Sequence, residues 1–132
     1  MALKVFLVED SAALRAHLTD ILITEANVIM VGMAETEAQA KNWLERNPGN
    51  WDVALIDLFL HEGTGAGVVQ QVRNRHPNQS VFVMTNHISD DALLHSCKLM
   101  GADAVYHKGT ELEDMVANCI GLSARQSEPY QG

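Results

Sequence analysis

The sequence predicts an α/β domain in which five parallel strands carry helices on both faces. Two observations support this. Short apolar runs with no polar alternation, among them Val5-Phe6-Leu7-Val8, Val53-Ala54-Leu55-Ile56 and Val81-Phe82-Val83-Met84, read as strands buried on both sides. Between them lie segments whose apolar residues recur every three or four positions, which read as helices. Strict alternation of the two patterns, joined by right-handed crossovers, puts helices on both faces of a parallel sheet. A chain of 132 residues, 47% hydrophobic, is enough for one domain with its own core.

Each element has a local reason. Leu3 to Val8 forms the first strand. A helix from Ser11 to Glu25 follows, with Leu14, Leu18, Ile21 and Leu22 on one face. Val28 to Val31 is the second strand. Thr36 and Gln39 have capping-box spacing and start a helix that buries Ala40, Trp43 and Leu44. Asn47-Pro48-Gly49-Asn50 ends that helix, because proline and glycine extend one only at a cost. The third strand spans Trp51 to Asp57, and Trp51 at its start is expected to sit half exposed. After a loop with Gly63 and Gly65, a helix carries Val68, Val69 and Val72 on one face and closes at His76-Pro77-Asn78. Val81 to Thr85 is the fourth strand. Ser89 caps the next helix, with Asp90 and Asp91 in a first turn that favours negative charge. Gly101 ends it. Ala104 to Tyr106 is the fifth strand. Thr110 and Glu113 form a second capping box before a helix with Leu112, Met115, Val116, Cys119 and Ile120 on one face. The expected domain is 1–122, followed by a short, polar, loose tail over 123–132.

Charge and cysteine content narrow the function classes. Seventeen acids against nine bases give a formal net charge of -8, and the bases are scattered, so a nucleic-acid surface is not expected. Cys97 and Cys119 lie on helical faces with no metal-ligand spacing, and read as small hydrophobes. No apolar run approaches the roughly 20 residues a membrane span needs, and the N-terminus lacks a signal-peptide pattern. A cytoplasmic setting is expected.

The chemistry collects where the strands end. In a parallel α/β sheet, ligands sit outside the carboxyl ends of the strands. The first strand stops at Glu9-Asp10, the third at Asp57 and the fourth at Thr85, and the fifth leads through His107 to Lys108. Three carboxylates crowded together repel, and at least one should have a raised pKa. Magnesium would resolve this, since it prefers oxygen ligands and binds through one or two carboxylates. Lys108 and Thr85 could meet phosphoryl oxygens. Asp57, alone at the end of the central strand, is the natural nucleophile for an aspartyl phosphate. Asp52 and Asp103, at strand starts, read as turn formers. Of the histidines at 17, 61, 76, 87, 95 and 107, only His87 and His107 are expected near this site.

These residues resemble a response-regulator receiver domain, the phospho-accepting half of bacterial two-component signalling. The resemblance covers Leu3 to Leu122. It rests on Val-Glu-Asp at 8–10, Leu-Ile-Asp-Leu at 55–58, Val-Met-Thr at 83–85, Gly-Ala-Asp at 101–103, and Lys108. It implies a flavodoxin-like fold with strand order 2-1-3-4-5. It also implies that Asp57 is the phosphorylation site. Asp10, Asp57 and the backbone carbonyl of Phe59 would bind Mg2+ directly, and Glu9 would hold it through water. Thr85 and Lys108 would contact the phosphoryl group. The donor would be a phosphohistidine on a sensor histidine kinase or a phosphotransfer protein. The output would be a face formed by the fourth helix, fifth strand and fifth helix, which engages an unknown output protein or a second copy. Such a chain is expected to be a switch, not an enzyme.

Three positions depart from the commonest receiver pattern. Many receivers carry an aromatic three residues before the lysine, which moves when the threonine engages phosphate. Here that position is Val105, and the ring belongs to Tyr106 on the opposite strand face. Asn86 stands where Ala or Gly is common and could narrow access to Asp57. Gly109 replaces a common proline. Phe59 and His87, two residues beyond Asp57 and Thr85, occupy positions that in the family flank the phosphoryl group and tune its hydrolysis.

Other readings are a receiver belonging to a longer DNA-binding regulator, a receiver that no longer accepts phosphate, an aspartyl-phosphate phosphatase and a flavodoxin. The phosphatase would need a second aspartate where Phe59 stands. The flavodoxin would need a phosphate loop where Glu9-Asp10 places negative charge. Intact Asp57, Thr85 and Lys108 argue against the degenerate receiver.

Overall fold

The computed structural model describes residues 2–86 and 91–127. The expected contributions of His87, Ser89 and Asp90, and the last part of the tail, lie outside the described residues. The strands are β1 (Leu3–Val8), β2 (Val28–Ala34), β3 (Val53–Asp57), β4 (Ser80–Thr85) and β5 (Ala104–His107). The helices are α1 (Ala12–Ala26), α2 (Glu37–Arg46), α3 (Gly65–Gln71), α4 (Asp91–Met100) and α5 (Leu112–Ser127). Every strand pairing is parallel and the order is β2-β1-β3-β4-β5, the flavodoxin-like arrangement expected.

Strand alternation divides the core into two. Leu3, Val5 and Leu7 of β1, with Val53 and Leu55 of β3, meet Leu18 and Leu22 of α1 and Met115, Val116 and Cys119 of α5. Phe6, Val8, Ala54, Ile56, Val81 and Val83 face the other way, onto Ala40 and Leu44 of α2, Val68 and Val69 of α3, and Cys97 of α4. The sheet is therefore covered on both sides, which is why its strands lack polar alternation. Trp43 stacks on Phe6 with ring centroids 4.1 Å apart.

Several boundaries differ from expectation. β2 continues past Val31 to Ala34, because a register shift opposite Val5 and Phe6 skips Val31 and lets the strand resume at Gly32. Gly32 is needed there, since a Cβ would stand 2.5 Å from the Trp43 indole. Trp51 is buried rather than half exposed, in the cluster under α2 and α3. Asp52 and Asp103 brace strand starts: Asp52 accepts the Lys4 N–H at 2.8 Å, and Asp103 accepts the Val81 N–H at 2.8 Å and pairs with Arg75 at 2.6 Å. α5 begins at Leu112, with the Glu111 carbonyl accepting the first helical N–H, from Met115. The helix thus starts one residue later than the Thr110 box predicts, and the Glu111 carboxylate accepts the His107 N–H at 2.9 Å. α5 also runs through Ser127, past the expected domain end at 122, and buried Ser123 lies against the Asn27 carbonyl beyond α1.

Both cysteines are buried free thiols, as their helical faces suggested. Burial pushes the Cys119 thiol up to about 12. Its folded value lies above the ordinary one, so the stability this group contributes is lost as pH rises toward that value. In mildly alkaline buffer, iodoacetamide should leave both thiols unmodified in the folded protein and alkylate both in urea, as read by intact mass. Prompt labelling of native Cys119 would contradict a closed α1–α5 seam.

Candidate functional site

The carboxyl ends of β1, β3, β4 and β5 bring the expected residues together. Glu9, directly after β1, is fully buried, Asp57 ends β3 at 3% exposure, and Thr85 ends β4 fully buried. Carboxylate oxygens of Glu9, Asp10 and Asp57 all lie within 4.8 Å of one another. Lys108 comes in from the loop after β5, held by its N–H to the Thr85 carbonyl at 2.9 Å. Its Nζ lies 2.7 Å from Glu9 Oε1 and 3.0 Å from Asp57 Oδ2.

The titration of these groups follows from burial and pairing. Burial raises the Glu9 pKa, and neighbouring Asp10 and Asp57 raise it further, against opposition from Lys108 and the Ser11 N–H. Burial also works against charge on Asp10. It is outweighed by hydrogen bonds from Glu9 and the His61 N–H, which hold Asp10 below its ordinary value. Burial alone would lower the Lys108 pKa, but the two carboxylates raise it on balance. One ammonium thus faces two buried acids, with a third beside them. This is a donor set of hard oxygens with negative charge in excess, and it suits a hard divalent cation.

The loop after β3 folds back over the site. The Phe59 N–H donates to Asp57 Oδ1 at 3.1 Å, and the Phe59 side chain is half exposed. His61, expected to lie away from the site, is in contact with it. Its N–H donates to Asp10 Oδ2 at 2.8 Å, and its Nε2 lies 3.2 Å from the same oxygen. No periodic signal marks a loop residue, so its position four after Asp57 was the only hint. Asn86 is exposed beside Thr85.

Val105 and Tyr106 take opposite faces, as alternation predicts. Tyr106 packs edge-on against Phe82 at 5.7 Å in the α1–α5 cluster, with its hydroxyl 2.7 Å from Asn118 Nδ2. Val105 lies on the α3–α4 side, which by alternation from Val83 is also the Thr85 side. The Tyr106 ring is therefore not placed to follow a movement of Thr85.

Residues 5–119 match the response regulator receiver domain family. The chain belongs to that family. The receiver domain is 34% identical over 92 residues to the DNA-binding transcriptional activator DevR/DosR of Mycobacterium tuberculosis, covering 69% of this chain and 41% of that protein. It is 32% identical over 126 residues to the transcriptional regulatory protein CiaR of Streptococcus pneumoniae, covering 96% of this chain and 54% of that one. It thus spans about half the length of the curated relatives it matches. Among solved structures, the CheX-CheY-BeF3-Mg+2 complex of Borrelia burgdorferi has a similar fold, with a TM-score of 0.80 at 18% identity, covering 91% of this chain and 88% of that one. The receiver domain of the putative regulator NarL of Mycobacterium tuberculosis gives 0.75 at 24%, covering 91% and 97%.

Membership corrects one expectation. The receiver domain was expected not to be an enzyme, yet receiver domains carry phosphoryl-transfer activity in their own site, so that exclusion does not stand. What the match shows is the family, without a positive enzyme class. Among the described residues, no helix is long and apolar enough to cross a membrane.

Proposed function

We propose that Asp57 accepts a phosphoryl group in a Mg2+-dependent reaction, and that the change alters a protein-binding face. The observation behind this reading is the meeting of Glu9, Asp10, Asp57 and Lys108 at one sheet edge, beside buried Thr85. An Asp57 carboxylate oxygen attacks phosphorus in line, the P–N bond to the donor imidazole breaks, and the electron pair leaves with the imidazole. Lys108 turns from Asp57 Oδ2 to a phosphoryl oxygen, and Thr85 donates its hydroxyl to another. Asp10, Asp57 and the Phe59 carbonyl would hold Mg2+, with Glu9 acting through water. Bound there, the ion supplies neutralisation of the phosphoryl charge.

The donor is a phosphohistidine on a sensor histidine kinase or phosphotransfer protein, in the cytoplasm. The switching face is formed by α4, β5 and α5, open to an output protein or a second copy, and phosphorylation biases an equilibrium that already exists. A second reading, a receiver acting within a DNA-binding regulator, is favoured by the similarity to DevR/DosR, a DNA-binding transcriptional activator.

Incubation with Mg2+ and acetyl phosphate should add one phosphoryl group by intact mass, and Asp57→Asn should abolish it. Label that survives Asp57→Asn would remove the assignment. Omitting Mg2+ should suppress labelling strongly. Half-exposed Phe59 stands next to the acceptor through its N–H bond to Asp57. Phe59→Asn should therefore open the acyl phosphate to water and shorten the phosphorylated lifetime several-fold, measured as loss of label after donor removal. An unchanged lifetime would exclude a shielding role.

A further inference from the structure

The loop that carries Phe59 and His61 is fastened to a residue outside the site, Glu37 at the start of α2. The Glu37 N–H donates to the Glu62 carbonyl at 3.1 Å. Its Oε1 accepts the Thr64 N–H at 2.7 Å and lies 3.3 Å from the Thr64 hydroxyl. Thr64 is also the cap of α3, its hydroxyl accepting the Gly67 N–H at 3.2 Å. Oε2 of Glu37 pairs with Lys41 at 2.6 Å.

The surrounding sequence is cut to fit this carboxylate. A Cβ on Gly67 would overlap Glu37 Oε2 and stand 2.8 Å from its Cδ. A Cβ on Gly63 would overlap Glu37 Cβ and stand 2.9 Å from Oε1, and Gly63 has a φ of 83°. Two glycines thus make room for one side chain of another helix. The other end of the loop is tied to Asp10 through the His61 N–H, and an antiparallel bridge joins Phe59 to Thr64. Removing the Glu37 carboxylate would take away the tie to Thr64 while leaving the Glu37 N–H on Glu62, the Phe59 N–H on Asp57, the His61 contact with Asp10 and the Phe59–Thr64 bridge.

We propose that Glu37 is a positioning residue for the phosphoryl-transfer site, holding Thr64 so that the 58–64 loop keeps Phe59 beside Asp57. The inference rests on the proposed phosphorylation of Asp57. Glu37 touches neither the acceptor nor the other acids. It acts through Thr64, and its hydrogen bonds to Lys41 and Thr64 hold its pKa below the ordinary value, so it stays ionised.

The test compares the parent protein with Glu37→Ala, Glu37→Gln and Lys41→Met. Acetyl-phosphate labelling rates are measured by intact mass, Mg2+ affinity by calorimetry, and folding by circular dichroism. Glu37→Ala should label about tenfold more slowly and bind Mg2+ more weakly while remaining folded. Glu37→Gln keeps a carbonyl acceptor for the Thr64 N–H and should recover most of the rate. Lys41→Met leaves the Thr64 contacts in place and should label like the parent. A Glu37→Ala variant that melts earlier but labels and binds Mg2+ like the parent would make the contact purely structural and overturn the inference alone. So would a folded Lys41→Met variant that labels about tenfold more slowly than the parent, or a folded Glu37→Gln variant slowed by as much, two comparisons read against the parent that do not depend on the alanine variant folding. Failure of the parent itself to label would overturn the phosphorylation reading, and this inference with it.

Discussion

Lys108→Ala should destabilise the protein by about 3 kcal/mol at neutral pH, because it strips the cation from two buried acids. Glu9 is fully buried, and the Lys108 ammonium is 2.7 Å from Glu9 and 3.0 Å from Asp57. Truncation leaves both carboxylates without it, and the desolvation cost of each is no longer offset. The pH dependence has a definite sign. The Glu9 pKa is raised in the folded state, so the stability it contributes belongs to its protonated form and is lost as pH rises through the folded value. The raised Lys108 pKa has the same sign in a different window, its stabilisation being full across the neutral range and lost only as pH rises through the folded lysine value. In acid, Glu9 is protonated in both proteins and needs no cation, so the deficit is smallest there and grows toward neutrality. Urea midpoints at several pH values would show this. If Mg2+ binds at these acids, saturating Mg2+ should return part of the loss by supplying positive charge at the same place. A deficit independent of pH would mean that Lys108 stabilises through its packed stem and not through charge.

The fold was legible because the burial that drives it, on both sides of a parallel sheet, is written as unbroken apolar runs. β1, β3 and β4 follow directly from Val5-Phe6-Leu7-Val8, Val53-Ala54-Leu55-Ile56 and Val81-Phe82-Val83-Met84. The separation of Val105 from Tyr106 followed from a two-residue period alone. The strand order came from the resemblance, since no periodicity encodes which strands are neighbours. The assembled acids and Lys108 were legible because topology brings strand ends to one edge whatever their sequence distance. His61 and Glu37 were not, since each acts through a loop, where contacts depend on backbone path and not on period. The same reason hides Trp51, which precedes its strand yet is covered by α2 and α3. The Thr110 box places the start of α5 one residue early, because spacing alone does not fix which carbonyl accepts the first helical N–H, here that of Glu111.

Gly65→Ala should damage both the stability and the chemistry of the receiver domain, because no other side chain fits where Gly65 crosses the end of β3. An added Cβ would overlap the Asp57 carbonyl oxygen and stand 2.8 Å from Leu58 Cα. These are backbone atoms, which cannot rotate away like the end of a flexible side chain. Relief has to come from shifting either α3 or the residue that bears the acceptor. Gly65 is already tied in place by its N–H, which donates to the Leu58 carbonyl at 2.9 Å. Overpacking of this kind costs about 3 kcal/mol, which a urea titration would detect. The displacement is also passed to Asp57, where an error of about 1 Å can cost roughly a hundredfold in rate. Labelling by acetyl phosphate, measured where Gly65→Ala is still folded, should therefore fall by that order. Gly49 is the matching control, because a Cβ there meets nothing within 4 Å and Gly49→Ala should leave labelling unchanged. A Gly65→Ala variant that is folded, stable and labels at the parent rate would show that the end of β3 can yield without moving its carboxylate. That result would remove the steric account of why a glycine stands there.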